Sequence, residues 1–580
     1  MKFIWQYVKR YPGKLLITFI ATFGVAAVMI GLPTYLAQMI DNAIINENEN
    51  LLWYYALIMI GLVLLSLISR TITSYTTSSI VNDMTMNIRN DAYEKMQSLS
   101  HHEFQELGVA SLTTRISTDA FVILQFMEMI LRQGLVSPMM LIFSIVMIFS
   151  ISPALGVYII PVSIIIILAV IFIAKYTLPI SEKQQASLDN INRILRENIT
   201  GLRVIRAFNN ENFQQGRFQD VNKDYKSLSS KLFKTIAITP AIFSLLLNMV
   251  IITILWFGSS MIAEGNMQVG IMVAFIEYVF HALYSLLMFA NIFMMYPRAS
   301  VSASRLQEVM DTPITVANPD AQVAITDTDE HGTLEFRNVD FAYPDASKPV
   351  LRNISFKTEP GQTVAFIGST GSGKSTIVKL IPRFYDVTKG QILVDGVDVR
   401  NYELNALRNK IGYTPQKALL FTGDIAENLR YGKFNADEED MEHATTVSQA
   451  YEFIHRLDTK YGTHLDEGGA NLSGGQKQRL SIARSIIADR EIYIFDDSFS
   501  ALDFKTDAAV RQALKEETKD ATTIIVAQRV SSIIHADQII VLDEGEVAAR
   551  GTHKELLQTS DLYYEIASSQ LSEEELNRDY

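Results

Sequence analysis

Two short stretches hold residue types that can do phosphate chemistry. The segment GSTGSGKST, residues 368–376, has the spacing G-x-x-x-x-G-K-[ST]. Gly368, Ser369, Thr370, Gly371, Ser372 and Gly373 make a small-residue loop whose backbone N–H groups can wrap phosphate oxygens. Lys374 offers a positive charge to the terminal phosphates, Ser375 offers a hydroxyl to Mg²⁺, and Thr376 completes the motif. The loop sits between the apolar run TVAFIG and the helical pattern TIVKLIPRFY, which is the strand–loop–helix context the motif requires. The second stretch, IYIFDD at 492–497, is an apolar strand ending in two acids. Asp496 suits a water-bridged contact to Mg²⁺, and Asp497 stands where a carboxylate could handle the attacking water. Together the two stretches predict a site for ATP and Mg²⁺.

A third stretch, NLSGGQKQRLSIARSII at 471–487, places Ser473, Gly474, Gly475 and Gln476 before a strongly helical run. Exposed N–H groups at such a helix start can bind another anion, or Ser473 can simply cap them. These pieces need a parallel sheet to hold them, and TLEFRNVDFAY, TVAFIG and QILVDG read as strands. We therefore expect an α/β P-loop domain over residues 332–580, a polar linker over 311–331 and a different domain over 1–310.

That first part is built for a membrane. Mean hydropathy over the 580 residues is +0.15, and the apolar residues concentrate before about residue 300. Six runs are long enough to cross a bilayer, near 15–40, 51–73, 134–152, 155–177, 239–262 and 270–296. The short connections 41–50, 150–153 and 263–268 lack Lys and Arg, whereas the two long connections and the start of the chain are rich in them. The positive-inside rule then puts both termini and both long connections in the cytoplasm. The first run is too long for a cleaved signal peptide, and MKFIWQYVKRYP before it suits a short helix at the inner membrane surface. No cysteine is present, which excludes disulfides and thiolate metal sites. The net charge of −13 argues against a nucleic-acid partner.

A structureless connection of about 60 residues would be unusual. Between Thr34 and Leu107 the chain has one glycine, Gly61, and no proline; the next breaker is Gly108. Gly201 and Gly216 are the glycines of the second long connection. Both connections read as helical hairpins that extend the membrane helices, with tips near 104–113 and 208–216.

LSGGQKQR, the P-loop and SALD at 500–503 together resemble the signature of ABC transporters. Six spans, long cytoplasmic hairpins and one ATP-binding domain resemble the exporter half-transporters, and RENITGLRVIRAFNNE at 196–211 is similar to their second hairpin. The resemblance implies a six-helix membrane domain fused to the P-loop domain, the type IV ABC exporter architecture, with ATP hydrolysis coupled to transport. It implies that Tyr343 stacks on adenine, Gln416 senses Mg²⁺ and Asp503 touches a partner subunit. It also implies pairing of two such domains, each ATP lying between one P-loop and the other chain's signature.

Two positions depart from the family pattern. Asp497 replaces the usual glutamate, and Gln528, in AQR, replaces the usual histidine. Shortening the acid withdraws it by about 1.5 Å, and glutamine cannot become cationic as histidine can. Asp497 and Gln528 are therefore the expected catalytic-position residues of a weak site. The pattern resembles the less active subunit of bacterial heterodimeric multidrug exporters, of the LmrC and EfrC type. This predicts a non-identical second half-transporter as partner and a bacterial plasma membrane location, with a homodimer of two slow sites as the alternative. Glu277 and His281 fall in the sixth span at i and i+4, on one helix face, and could line a cavity for lipophilic substrates. Lipid or peptide export, and a non-pumping signalling role, are the other functions compatible with these motifs.

Overall fold

The computed structural model describes residues 1–320 and 324–576. They form two compact units. One is Met1–Gln97 with Val109–Thr312; the other is Ser98–Gly108 with Pro313–Tyr580.

The first unit is helical. Six helical stretches, Pro12–Ile44, Glu49–Ser98, Val109–Ile151, Pro153–Thr200, Glu211–Ala263 and Val269–Asp311, are long and apolar enough to cross a membrane by length and composition. The longest has 53 residues and so runs for about 80 Å, well beyond a ~30 Å hydrocarbon core. Five expected spans fall inside these stretches and the one at 134–152 overruns its stretch by one residue, so the chain is a multi-pass membrane protein. Asp41 joins the first and last of them. Its carboxylate accepts hydrogen bonds from the backbone N–H groups of Gly270 (2.6 Å) and Ile271 (3.1 Å), at the start of Val269–Asp311. A side chain at position 270 would run into the Ala37 carbonyl, so glycine permits this close approach.

Two expectations are corrected here. The N-terminal helix Lys2–Val8 does form, but Phe3, Ile4, Tyr7 and Val8 are buried against Ile80, Met84 and Ile88 of the same unit. Its apolar side packs on protein, and of its apolar residues Trp5 is left exposed. The second hairpin turns over 201–210, which meets its expected tip at 208–210 and extends upstream of it. Gly201 ends one helix and Asn209 takes a left-handed φ of 48°, which asparagine tolerates better than most residues. Gly216 lies inside Glu211–Ala263; one glycine costs a helix about 1 kcal/mol, too little to stop one of this length.

The second unit is α/β. Its main sheet has six strands in the order Glu546–Gly551, Gln538–Asp543, Thr363–Gly368, Thr522–Val526, Ile492–Asp496 and Ile411–Thr414. All neighbours are parallel except the first pair. Side chains alternate across it. Val364, Phe366, Ile494 and Ile524 enter one apolar cluster, while Ala365, Ile367, Phe495 and Ile525 enter another. Helices cover one face, and an antiparallel sheet built on Leu334–Phe341 and Leu351–Thr358 covers the other, as a buried parallel sheet requires.

The inserted helix His101–Leu107 belongs to this α/β unit although both its flanks continue into membrane helices. Ser100 Oγ accepts a hydrogen bond from the Val316 N–H at 2.9 Å, and the Thr315 hydroxyl donates to Glu103. The His101 ring stacks near Phe384 (6.1 Å) and meets Tyr385 edge-on (5.6 Å). Burial, and then the nearby Lys379 charge, push the His101 pKa down, so the ring docks neutral. An aromatic contact of this kind is worth about 1 kcal/mol. His101→Ala should therefore speed amide exchange in residues 98–108 about fivefold, with the strand Ile492–Asp496 unchanged. Hydrogen-exchange mass spectrometry reads both regions, and equal exchange in 98–108 would show that the rings do not hold the segment.

Candidate functional site

The central strands bring the phosphate loop and the acids together. Thr363–Gly368 and Ile492–Asp496 flank Thr522–Val526, and all three run in parallel, so their C-terminal ends meet on one edge. The loop 368–373 follows the first strand and leads into the helix Lys374–Leu380. Gly371 and Gly373 have φ values of 88° and 98°, and a side chain at 373 would press into Leu351. Only glycine takes this path without strain. Lys374 Nζ donates to the carbonyls of Gly368 (2.9 Å) and Ser369 (2.7 Å), which turns its charge back over the loop.

Ser375 Oγ donates to Asp496 Oδ1 at 2.8 Å. Two of the three residues expected at Mg²⁺, Ser375 and Asp496, thus share one spot, and their oxygens suit a hard cation that keeps several waters; the third, Gln416, bonds to Asp497. Mg²⁺ bound there would neutralise the phosphates of a nucleotide. Burial raises the pKa of Asp496, the neighbouring Asp497 charge adds to the rise, and Ser375 opposes it. Asp497 is also raised, chiefly by burial, with the Gln416 hydrogen bond opposing. Asp497 Oδ2 accepts from Gln416 Nε2 at 3.1 Å and from Gln528 Nε2 at 2.7 Å. The two departures from the expected pattern therefore touch directly.

Tyr343 packs edge-on against Phe341 and Tyr385, and its hydroxyl lies 3.2 Å from Thr376 Oγ1, so it sits beside the phosphate loop. The other expected residues stay apart from it. Ser473 caps the helix Gly474–Ile486 in a reciprocal capping box with Gln476. Asp503 caps Phe504–Glu517 through the Thr506 N–H. Among the described residues, neither cap hydrogen-bonds to the phosphate loop of its own chain. Both are exposed. Glu277 is also exposed, while His281 is partly buried and its Nδ1 has no hydrogen-bond partner among the described residues. Tyr413 went unnoticed in the sequence. Its half-buried phenol lies by Asp496, and burial followed by that charge raises its pKa. The signal available was position: it is three residues before Gln416, on the strand beside Ile492–Asp496.

Family models match both units: the ABC transporter transmembrane region over residues 15–286 and ABC transporter over residues 351–500. The chain is 35% identical over 570 residues to the uncharacterized ABC transporter ATP-binding protein YfiB of Bacillus subtilis (strain 168), covering 98% of each. The chain belongs to the ABC transporters. It is 28% identical to an ATP-dependent lipid A-core flippase of Haemophilus influenzae (strain 86-028NP), over 98% of this chain and 97% of that one. Its fold matches a bacterial Atm1-family ABC exporter solved with ATP bound, with a TM-score of 0.81 at 24% identity, over 97% and 98% of the two chains. It is thus an ABC exporter half-transporter, with six candidate spans fused to an ATPase domain that couples hydrolysis to transport.

The raised acids of this ABC transporter give a pH dependence with a definite sign. A carboxyl whose folded pKa exceeds its unfolded value of about 3.9 destabilises the fold as pH rises through the folded pKa. Without nucleotide and Mg²⁺, Asp496→Asn should stabilise the protein increasingly as pH climbs from about 4 toward 7. Thermal unfolding in EDTA across that range checks it. A gain that shrinks with rising pH would contradict the burial of an uncompensated charge.

Proposed function

We propose that this chain is the weakly hydrolytic half of a heterodimeric ABC exporter for lipophilic and amphiphilic compounds. The hydrogen bonds from Gln416 and Gln528 to Asp497 carry this reading. They occupy the carboxylate oxygen at the position where the family pattern has the longer glutamate. The machinery for holding ATP is intact. Gly368–Thr376 would cradle the phosphates and Tyr343 would stack on adenine. Ser375, Asp496 and Gln416 would hold Mg²⁺.

Asp497 and Gln528 then stand at the catalytic positions of a slow site. Ser473, Gly474 and Asp503, which are exposed, serve the ATP of the partner together with the half-buried Gly475 and Gln476, and the partner supplies the fast site. In this reading the membrane domain covers 1–310, the linker 311–331 and the nucleotide-binding domain 332–580. Both termini face the cytoplasm of a bacterial plasma membrane. Cargo would meet the sixth span at the exposed Glu277 and its neighbour His281, which favours lipophilic cations. The flippase relative supports lipid export as the second reading of the same cavity.

Affinity purification from native membranes tests the assembly. A second half-transporter with glutamate and histidine at the positions of Asp497 and Gln528 should copurify; a stable complex of this chain with itself alone would contradict the proposal. In inverted vesicles of that complex, Glu277→Gln should cut ATP-dependent uptake of lipophilic cations about threefold or more. Unchanged uptake of every cation would remove Glu277 from the cavity.

A further inference from the structure

Asp497 is held more firmly than a water-activating acid needs to be. Its backbone N–H donates to the Val526 carbonyl at 2.9 Å, and its own carbonyl accepts from Ser500 Oγ at 3.0 Å. Its φ is 49°, a left-handed conformation that a residue with a side chain adopts only when its surroundings demand it. The residue is 7% exposed. From this fixed base one oxygen, Oδ2, takes a hydrogen bond from each of two glutamines.

The chemistry of that oxygen sets the direction of both amides. An ionised carboxylate oxygen can only accept, so each glutamine must turn its NH₂ group toward Asp497. The amide oxygen of Gln416 is then the atom left to face a cation. Length matters as well. One more methylene would carry the acid about 1.5 Å onward, past the point where a single oxygen reaches both amides. A histidine at 528 would bring a ring nitrogen in place of an amide. One contact therefore accounts for both departures together: aspartate and glutamine fit each other.

We propose that Asp497 is a positioning residue, whose carboxylate anchors Gln416 and Gln528 and so presents the Gln416 amide oxygen to Mg²⁺ at this nucleotide site. The inference rests on the slow-site reading above and adds what the altered acid does there. Gln528, held by the same oxygen, keeps one N–H free for phosphate. The site is set to retain Mg²⁺ and nucleotide.

Asparagine separates this role from that of a base. Its carbonyl oxygen can accept both amide hydrogen bonds, but it cannot take a proton from water. The assembled transporter is photolabelled with 8-azido-ATP, and the Mg²⁺ concentration for half-maximal labelling of this chain is read. Asp497→Asn should stay within about twofold of the unaltered protein, while Asp497→Ala should need about tenfold more Mg²⁺. Gln416→Ala should shift the requirement as far, and adding it to Asp497→Ala should shift it little further. Labelling without Mg²⁺ should be the same for all, which separates a lost anchor from a lost fold. An alanine variant with the normal Mg²⁺ requirement overturns the proposal. So does an asparagine variant displaced as far as alanine, or additive shifts in the double variant; the asparagine result suffices if alanine prevents assembly. Turnover is the independent arm. Unchanged steady-state hydrolysis after replacing the partner's glutamate with glutamine would overturn the slow-site reading, whereas the Mg²⁺ requirement decides the anchoring.

Discussion

Asp496 and Asp497 lie side by side at the end of a strand that is buried at every position. Carboxylates in such a place must be met by donors or by a cation, or they take up protons. The rest of the site follows from how that demand is met. Ser375 answers Asp496, and through it the phosphate loop is tied to the acid strand. Gln416 and Gln528 answer Asp497, and through them two segments far apart in the chain converge on one oxygen. Mg²⁺ held there with a nucleotide would complete the compensation, which gives the site a physical reason to favour that ligand.

The same unit includes a piece of chain from the membrane hairpins. Residues 98–108 pack with the α/β core through His101, Phe384 and Tyr385. Tyr385 in turn meets Tyr343, whose hydroxyl reaches Thr376 at the phosphate loop. Phe384 meets Tyr413, which lies by Asp496. Rings thus connect the inserted helix to Tyr343 beside the phosphate loop and to Tyr413 beside Asp496. Ring contacts are short-ranged and orientation-dependent, so this packing depends on each ring keeping its place.

Much of this was legible in the sequence because the signals are local. The phosphate loop needs a strand before it and a helix after it, and both are adjacent in the chain. Six spans follow from apolar length, since no short loop can substitute in a bilayer. What escaped depends on contacts distant in sequence. The amphipathic start MKFIWQYV fits a lipid surface as well as a protein one, and only the fold buries Phe3 and Ile4 on Ile80 and Met84. Gly201 and Gly216 are equal candidates on paper; the turn uses the first, with Asn209 bending the chain. Asp41 looks like an ordinary loop acid until Gly270 comes against it. Asp497 and Gln528 were each recognisable as departures, but 31 residues separate them, and their shared hydrogen bond is a property of the folded sheet edge.

The central claim is that this chain holds ATP while its partner spends it, and the nucleotide found on this chain during turnover tests that most directly. Transporter cycling on labelled 8-azido-ATP is flashed with light, the two chains are separated, and the nucleotide cross-linked to each is identified. The account predicts mostly triphosphate on this chain and mostly diphosphate on the partner. Diphosphate on this chain in equal or greater proportion would contradict it.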